Sequence, residues 1–176
     1  MAVLDILIYP DPRLKQTSSS VSNFDAPLRD FIADLEETML AHPGCVGLAA
    51  PQAGRFERIV VLDVSGKPQV PNNGRLTLIN PEIVHADGSA VGREGCLSVP
   101  DYTGNVARAE KIALKAFDSH GRERLYRMEG FEARAALHEL DHLDGLLFLD
   151  RLVSRRNALF RRKNQGRSSA AKTGPS

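Results

Sequence analysis

Tryptophan is absent from this chain of 176 residues, and only two cysteines, Cys45 and Cys96, occur in it. Without Trp, the aromatic part of any core falls to Phe and Tyr. Two cysteines are too few for the disulfide framework of a small secreted domain. Long apolar runs are missing too. The apolar start, Val3 to Tyr9, is short and carries Asp5, so neither a signal segment nor a membrane span is expected. No Arg-rich transit segment precedes the body of the chain. What remains is ordinary: 42% hydrophobic and 26% charged residues, in a length that suits one domain with a sizeable core.

The coarse organisation is legible. Leu28, Phe31, Ile32, Leu35 and Met39 recur at helical spacing behind Asp25 as a cap and Pro27 in the first turn, and His42-Pro43-Gly44 ends that helix. Ile59 to Val64 predicts a strand, Leu76 to Val84 a second one broken at Asn80-Pro81, and Lys111 to Phe117 a third. The turn residues Ser119 to Arg122 join that third strand to Arg124–Met128 as a hairpin. Val64 to Gly74 reads as a loop. Phe131 to Leu143 is a second helix. The expected fold class is α+β, with short, mostly antiparallel strands packed around a central helix. His42, His85 and His120 stand near turn residues and read as surface histidines.

The second helix contains His138-Glu139-Leu140-Asp141-His142. Two imidazoles four residues apart differ by about 40° around a helix and stack one turn apart, so both can reach one metal ion. Glu139 lies about 100° further round, where a carboxylate can sit beside a metal-activated water without being a ligand. An ion to acidify water and a base to take its proton are what a metallohydrolase requires. The pattern alone is permissive, because an amphipathic helix with two half-buried histidines satisfies it as well. A third ligand decides. The metzincin pattern continues as far as Gly145 but has Phe148 at its last His, and a thermolysin-like carboxylate finds only Asp144 and Asp150 downstream. Upstream, Glu94-Gly95-Cys96-Leu97-Ser98 offers a thiolate, which with two imidazoles would leave one tetrahedral position open; the alternative is a buried structural cysteine. The small, apolar run Cys45 to Gln52 is either a tight loop on the core or backbone exposed to substrate, with Gln52 as an oxyanion donor.

Together these stretches, G-x-A-A-x-Q at Gly47 to Gln52, E-G-C-L-S at Glu94 to Ser98 and H-E-x-x-H at His138 to His142, resemble peptide deformylase in residue type, order and spacing. Tyr9-Pro10-Asp11-Pro12-Arg13-Leu14 resembles the opening of that family, and the likeness spans roughly residues 4 to 153. The resemblance implies that Cys96, His138 and His142 hold one divalent metal ion, Fe(II) in the cell, with Zn(II), Ni(II) or Co(II) as substitutes. It implies Glu139 as general base, with Gln52 and the Leu97 backbone N–H stabilising the oxyanion. It makes Gly47 and Val46 backbone contacts for an N-formylmethionyl peptide, and it has Glu94 and Arg108 pairing beneath the site to fix the cysteine loop. The implied products are formate and a free methionine amine. Three positions depart from the pattern: Cys45 replaces its first glycine, Leu137 its glutamine before the histidine motif, and Thr103 an arginine found in some members. A zincin-type protease would leave Cys96 unexplained, and a metal-stabilised RNA-binding domain would need a fourth protein ligand.

Charge is uneven. Residues 151–176 carry eight Lys or Arg and no acid, against 15 basic and 22 acidic residues in 1–150, so a tail of +8 follows a body of −7. The expected division is a catalytic domain over 1–153 and a basic extension over 154–176. In that extension Ser154 to Lys163 is expected to form a helix and Asn164 to Ser176 to be disordered. By resemblance the tail suggests docking on ribosomal RNA, where phosphate supplies the attraction. A metal thiolate needs a reducing compartment, so the cytoplasm is the expected location.

Overall fold

A computed structural model of the chain describes residues 2–162. Helix α1 spans Ala26–Ala41 and α2 Gly130–Leu143. The strands are β1 (Gly47–Ala49), β2 (Ile59–Leu62), β3 (Leu76–Asp87), β4 (Ala90–Cys96), β5 (Val99–Arg108), β6 (Lys111–Phe117), β7 (Glu123–Glu129) and β8 (Leu159–Arg161). A five-stranded antiparallel sheet runs in the order β1-β2-β3-β6-β7, and a three-stranded one in the order β4-β5-β8. The fold is α+β, with α2 central.

Local chemistry sets the first helix. The Asp25 carboxylate accepts the Leu28 N–H at 3.0 Å, Pro27 stands in the first turn, and the chain leaves at His42 before Gly44 turns it at a φ of +81°. The strand β2 explains why the large sheet is covered on both faces. Ile59 and Val61 point to one side, against Leu28, Ile32, Leu35 and Met39 of α1. Val60 and Leu62 point to the other, against Ala133, Ala136 and Leu143 of α2. Alternation by two thus feeds two cores, each fully buried aliphatic side chain contributing about 1.5–3 kcal/mol. The alanines of α2 let it approach the sheet closely. Its other face meets the β4–β5 hairpin.

Two expectations are corrected here. The strand expected to break at Asn80-Pro81 runs on to Asp87 across a bulge between Ile79 and Glu82. Asn80 takes a left-handed φ of +51°, and its side chain bonds both the N–H and the carbonyl of Val21 at 2.9 Å, which anchors the bulge. The basic helix expected over Ser154–Lys163 does not form within the described residues. A single turn starts at Ser154, whose hydroxyl accepts the Asn157 N–H at 3.1 Å. Buried Ala158 then gives its carbonyl to the Asn105 N–H at 2.8 Å, and Leu159–Arg161 pairs with the edge of β5. An unpaired strand edge satisfies that backbone and Phe160 better than an exposed helix would. Residues 154–162 are therefore part of the folded body, and the disorder expected over Asn164–Ser176 lies outside the described residues.

Candidate metal centre

Four positions of α2, Arg134, His138, Asp141 and His142, share one helix face at the spacing i, i+4, i+7, i+8, and that face turns toward the β4–β5 hairpin. It is polar where a packing face should be apolar, and burying such groups is costly unless each is bonded. The hairpin supplies the partners. Glu94 accepts from Arg108 Nε and Nη2 at 2.9 Å each, from Arg134 Nη1 at 2.8 Å and from His138 Nδ1 at 2.9 Å. Arg108 Nη1 donates to Asp141 at 2.7 Å, and Arg151 closes over Asp141 with two further bonds. Burial would push the Glu94 carboxyl up, but its bonds to Arg108 and His138 prevail and hold it at about 2. An ionised Glu94 can only accept, so His138 Nδ1 is the donor. Burial would lower the His138 imidazole, but its bonds to Cys96 and Glu94 prevail and raise it well above the ordinary range, so without an ion Nε2 keeps the proton that a metal would displace.

Cys96 ends β4 opposite this face. Its Sγ lies 3.4 Å from His142 Nε2, and one ligand atom each from Cys96, His138 and His142 lie within 4.8 Å of one another. The two imidazoles meet edge to face with centroids 5.2 Å apart. Phe148, where a metzincin would have its third histidine, instead stacks at 6.3 Å from His138 as a wall. Burial and the positive neighbours His138 and Arg108 push His142 well below the ordinary histidine range, which keeps it neutral.

Glu139 is buried, and its Oε1 has no hydrogen-bond partner. Burial raises its carboxyl to about 7, against the opposing pull of His138. The space it occupies exists because residue 47 is glycine: a Cβ there would stand 2.9 Å from both Glu139 Cγ and Oε2. Gln52, also buried, accepts the Ala49 N–H on Oε1 at 3.0 Å. That orientation turns Nε2 toward Ser98 Oγ at 3.1 Å and Cys96 Sγ at 3.5 Å. These groups open onto a cavity of about 470 Å³, lined also by Val46, Leu97 and Phe131. His142 and Arg108 are buried and do not line it; Arg108 is bonded to Glu94 instead.

The donor set fits a metal ion. A soft sulfur and two imidazole nitrogens converge, while Glu139 Oε1 and His142 Nδ1 are buried without protein partners. Three protein donors suit a reactive site better than a structural one, which takes four. Cys45 stays outside this group. Burial, then the nearby Glu139 charge, raise its thiol to about 12, and it donates to the Gly47 carbonyl at 3.2 Å. Cys45 and Cys96 are both free thiols.

The structure adds residues that the sequence reading missed. Asp141 and Arg134 are the main ones, and Ser98 joins through Gln52. Arg134 had a signal, since it stands one turn before His138 on the same face. Leu137 packs half-buried against the core around α2, and its apolar side chain can offer no hydrogen bond where the family pattern has glutamine. His85 and His120 are exposed as expected, while His42 is half-buried and bonds the Thr38 carbonyl.

The sequence profile of polypeptide deformylases matches residues 3–158. A peptide deformylase of Alkalilimnicola ehrlichii is 44% identical over 163 residues, which cover 93% of this chain and 89% of that one. One of Thermodesulfovibrio yellowstonii is 40% identical, over 93% and 97% of the two chains. Among solved structures, the Thermotoga maritima peptide deformylase superposes with a TM-score of 0.81 at 37% identity, covering 88% of this chain and all of that one. The Ehrlichia chaffeensis peptide deformylase in complex with actinonin does so at 0.82 and 38%, over 89% and 92%. With its three motifs folded onto one buried centre, the chain belongs to the peptide deformylase family.

Proposed function

We propose that Cys96, His138 and His142 hold one divalent ion, Fe(II) in the cell with Zn(II), Ni(II) or Co(II) as substitutes, and that Glu139, Gln52 and Leu97 carry the hydrolysis of N-formylmethionyl peptides. The observation that carries this reading is a Cys/His/His cluster beside a buried carboxylate with one unpartnered oxygen, with Cys96, His138 and Glu139 lining one cavity. A divalent ion bound there supplies Lewis acidity, which acidifies water and polarises a carbonyl oxygen. Glu139 takes a proton from the attacking water as the O–C bond forms at the formyl carbon. It then delivers that proton to the amine as the C–N bond breaks, releasing formate and a peptide with a free methionine amine. Gln52 Nε2, already turned toward the sulfur, and the Leu97 N–H donate to the formyl oxygen as it gains charge, each worth about 3–4 kcal/mol in the transition state. The backbone of Val46 and Gly47 pairs with the peptide as an added strand. Glu94 and Arg108 act one step back, by orienting His138 and the cysteine-bearing hairpin.

Metal-loaded protein incubated with a formyl-Met peptide and assayed for formate tests the activity. The variant Glu139→Ala is expected to retain its metal and lose nearly all turnover, and near-normal turnover would refute the assigned base.

No helix among the described residues is long and apolar enough to cross a membrane. A thiolate ligand favours a reducing compartment, the cytoplasm. Basic docking on ribosomal RNA is carried by the positive residues beyond 162, Lys163, Arg167 and Lys172. Salt-sensitive ribosome co-sedimentation tests it. The comparison is with a chain ending at Arg162, because a cut at Val153 would also remove β8. Equal pelleting of the two would end the idea.

A further inference from the structure

The C-terminal strand does more than close a sheet edge. Pairing of β8 with β5 sets Phe160 opposite Thr103 and Arg161 opposite Tyr102, and the Arg162 N–H extends it by donating to the Asp101 carbonyl at 2.8 Å. Alternation then separates the side chains. Arg161 lies over the Tyr102 ring on one face, while Phe160 and Arg162 share the other. On that second face the Arg93 guanidinium stacks 3.7 Å from the Phe160 centroid and donates to two neutral acceptors, Asn105 and Thr103. Arg162 lies across the backbone of Gly95, its Nη2 2.5 Å from where a Cβ on that glycine would stand. Both guanidinium groups line the same cavity as Cys96 and Glu139, and Arg162 rests on the residue next to the sulfur.

Among the described residues, the cavity is lined by three guanidinium groups and two carboxylates. Arg134 and Glu94 are committed to each other. Glu94 is further saturated by Arg108 and His138, and Glu139 is buried beside the histidines. The wall formed by Arg93 and Arg162 therefore keeps a positive potential facing the space a peptide must cross. We propose that Arg162, supported by Arg93, is a specificity-determining residue that favours substrates bearing a carboxylate shortly after the formylmethionine. It rests on the deformylase reading above and names a substrate class for the same site. An extended peptide advances about 3.3 Å per residue, so a side chain that reaches from Gly95 along the wall meets the second or third residue after methionine. Thr103 lies directly under this wall, next to Gly95, and its hydroxyl accepts from Arg93 at 3.4 Å.

Four peptides test the proposal with the full-length, metal-loaded protein: formyl-Met-Ala-Glu-amide, the Gln-amide, the Lys-amide, and the Gln peptide with a free C-terminal carboxylate. Exposed ion pairs are weak, so kcat/KM is expected to fall about threefold from Glu to Gln and again to Lys. KM should carry the change and kcat should stay constant. The order should collapse at 1 M salt, where screening acts over about 3 Å. A free-acid Gln peptide that matches the Glu-amide assigns the preference to any carboxylate at that reach. One that matches the Gln-amide assigns it to the side chain, and either agrees with the proposal. In Arg162→Glu the order should reverse, and in Arg162→Gln it should flatten. Equal KM for the Glu and Lys amides, or an unchanged order in Arg162→Glu, would overturn the inference while leaving the activity standing. Absence of formate from all four peptides would overturn the deformylase reading and this inference with it.

Discussion

Replacing Gly47 by alanine adds one methyl group where the structure has none to spare. The new Cβ would sit 2.9 Å from Glu139 Cγ and Oε2 and 3.1 Å from Cδ. Carbon atoms prefer about 3.5–4.0 Å, so roughly 0.6–1 Å of relief is needed. The two backbones cannot readily provide it. Strand β1 is held by β2 through the register Gly47↔Leu62, and α2 is held by its alanine face in the core. The Glu139 side chain must therefore turn away from the position where it can reach a water. Misplacement of a catalytic group by about 1 Å costs on the order of 10²-fold, so kcat for formate release from a formyl-Met peptide should fall about 30- to 100-fold. Overpacking should cost about 1–3 kcal/mol of stability, which leaves the chain folded. Metal content should not change, because the three atoms nearest the new methyl all belong to Glu139 and none to a ligand residue. A kcat within about twofold of wild type in folded Gly47→Ala would refute the reasoning. A raised KM with preserved kcat would contradict it too, by showing that the methyl meets the peptide and not Glu139.

Three further outcomes follow from the same geometry. Arg108→Ala removes three bonds from two buried carboxylates but leaves Glu94 with Arg134 and His138 and Asp141 with Arg151, so it should cost about 1.5–3 kcal/mol; a melting temperature within about 2 °C of wild type would contradict that. Gln52→Ala removes one oxyanion donor and should lower kcat about 10²- to 10³-fold, and a loss below about threefold would remove Gln52 from the chemistry. Burial, opposed by the bonds from Asn73, raises the Glu132 carboxyl above its ordinary value. The folded chain therefore binds this proton more tightly than the unfolded one, and wild type loses stability as pH rises through the ordinary and then the raised value. Glu132→Gln cannot titrate, so its melting temperature relative to wild type should climb as pH rises from the ordinary carboxylate range through the raised value; a flat or falling difference would contradict the sign.

Periodic and chemically explicit segments were legible before any coordinates. The α1 stripe with its Asp25 cap, the β6–β7 hairpin and the spacing of His138 and His142 each follow from local rules that tertiary context left unchallenged. Strands β4 and β5 escaped notice because Gly92, Gly95, Pro100 and Gly104 lower their intrinsic propensity. Their reason for being strands is tertiary: Gly104 has no room for a Cβ under Leu152 and Phe148, and Gly92 none beside Arg134. Asp141 looked like an unassigned position inside the histidine motif. It became meaningful only when Arg108 and Arg151 arrived from 33 and 10 residues away. The tail departs from its expected helix for a related reason. Charge and two apolar residues suggest an amphipathic helix, but the open edge of β5 is not visible in the sequence of residues 154–162.

X-ray absorption at the metal edge of anaerobically purified, catalytically active protein tests the central claim most directly. The account predicts one bound ion with one sulfur and two imidazole nitrogens, its remaining coordination filled by oxygen from solvent. In Cys96→Ser the sulfur should vanish from the spectrum. A second sulfur from Cys45, a site closed by four protein ligands, or sulfur scattering that survives Cys96→Ser would contradict it.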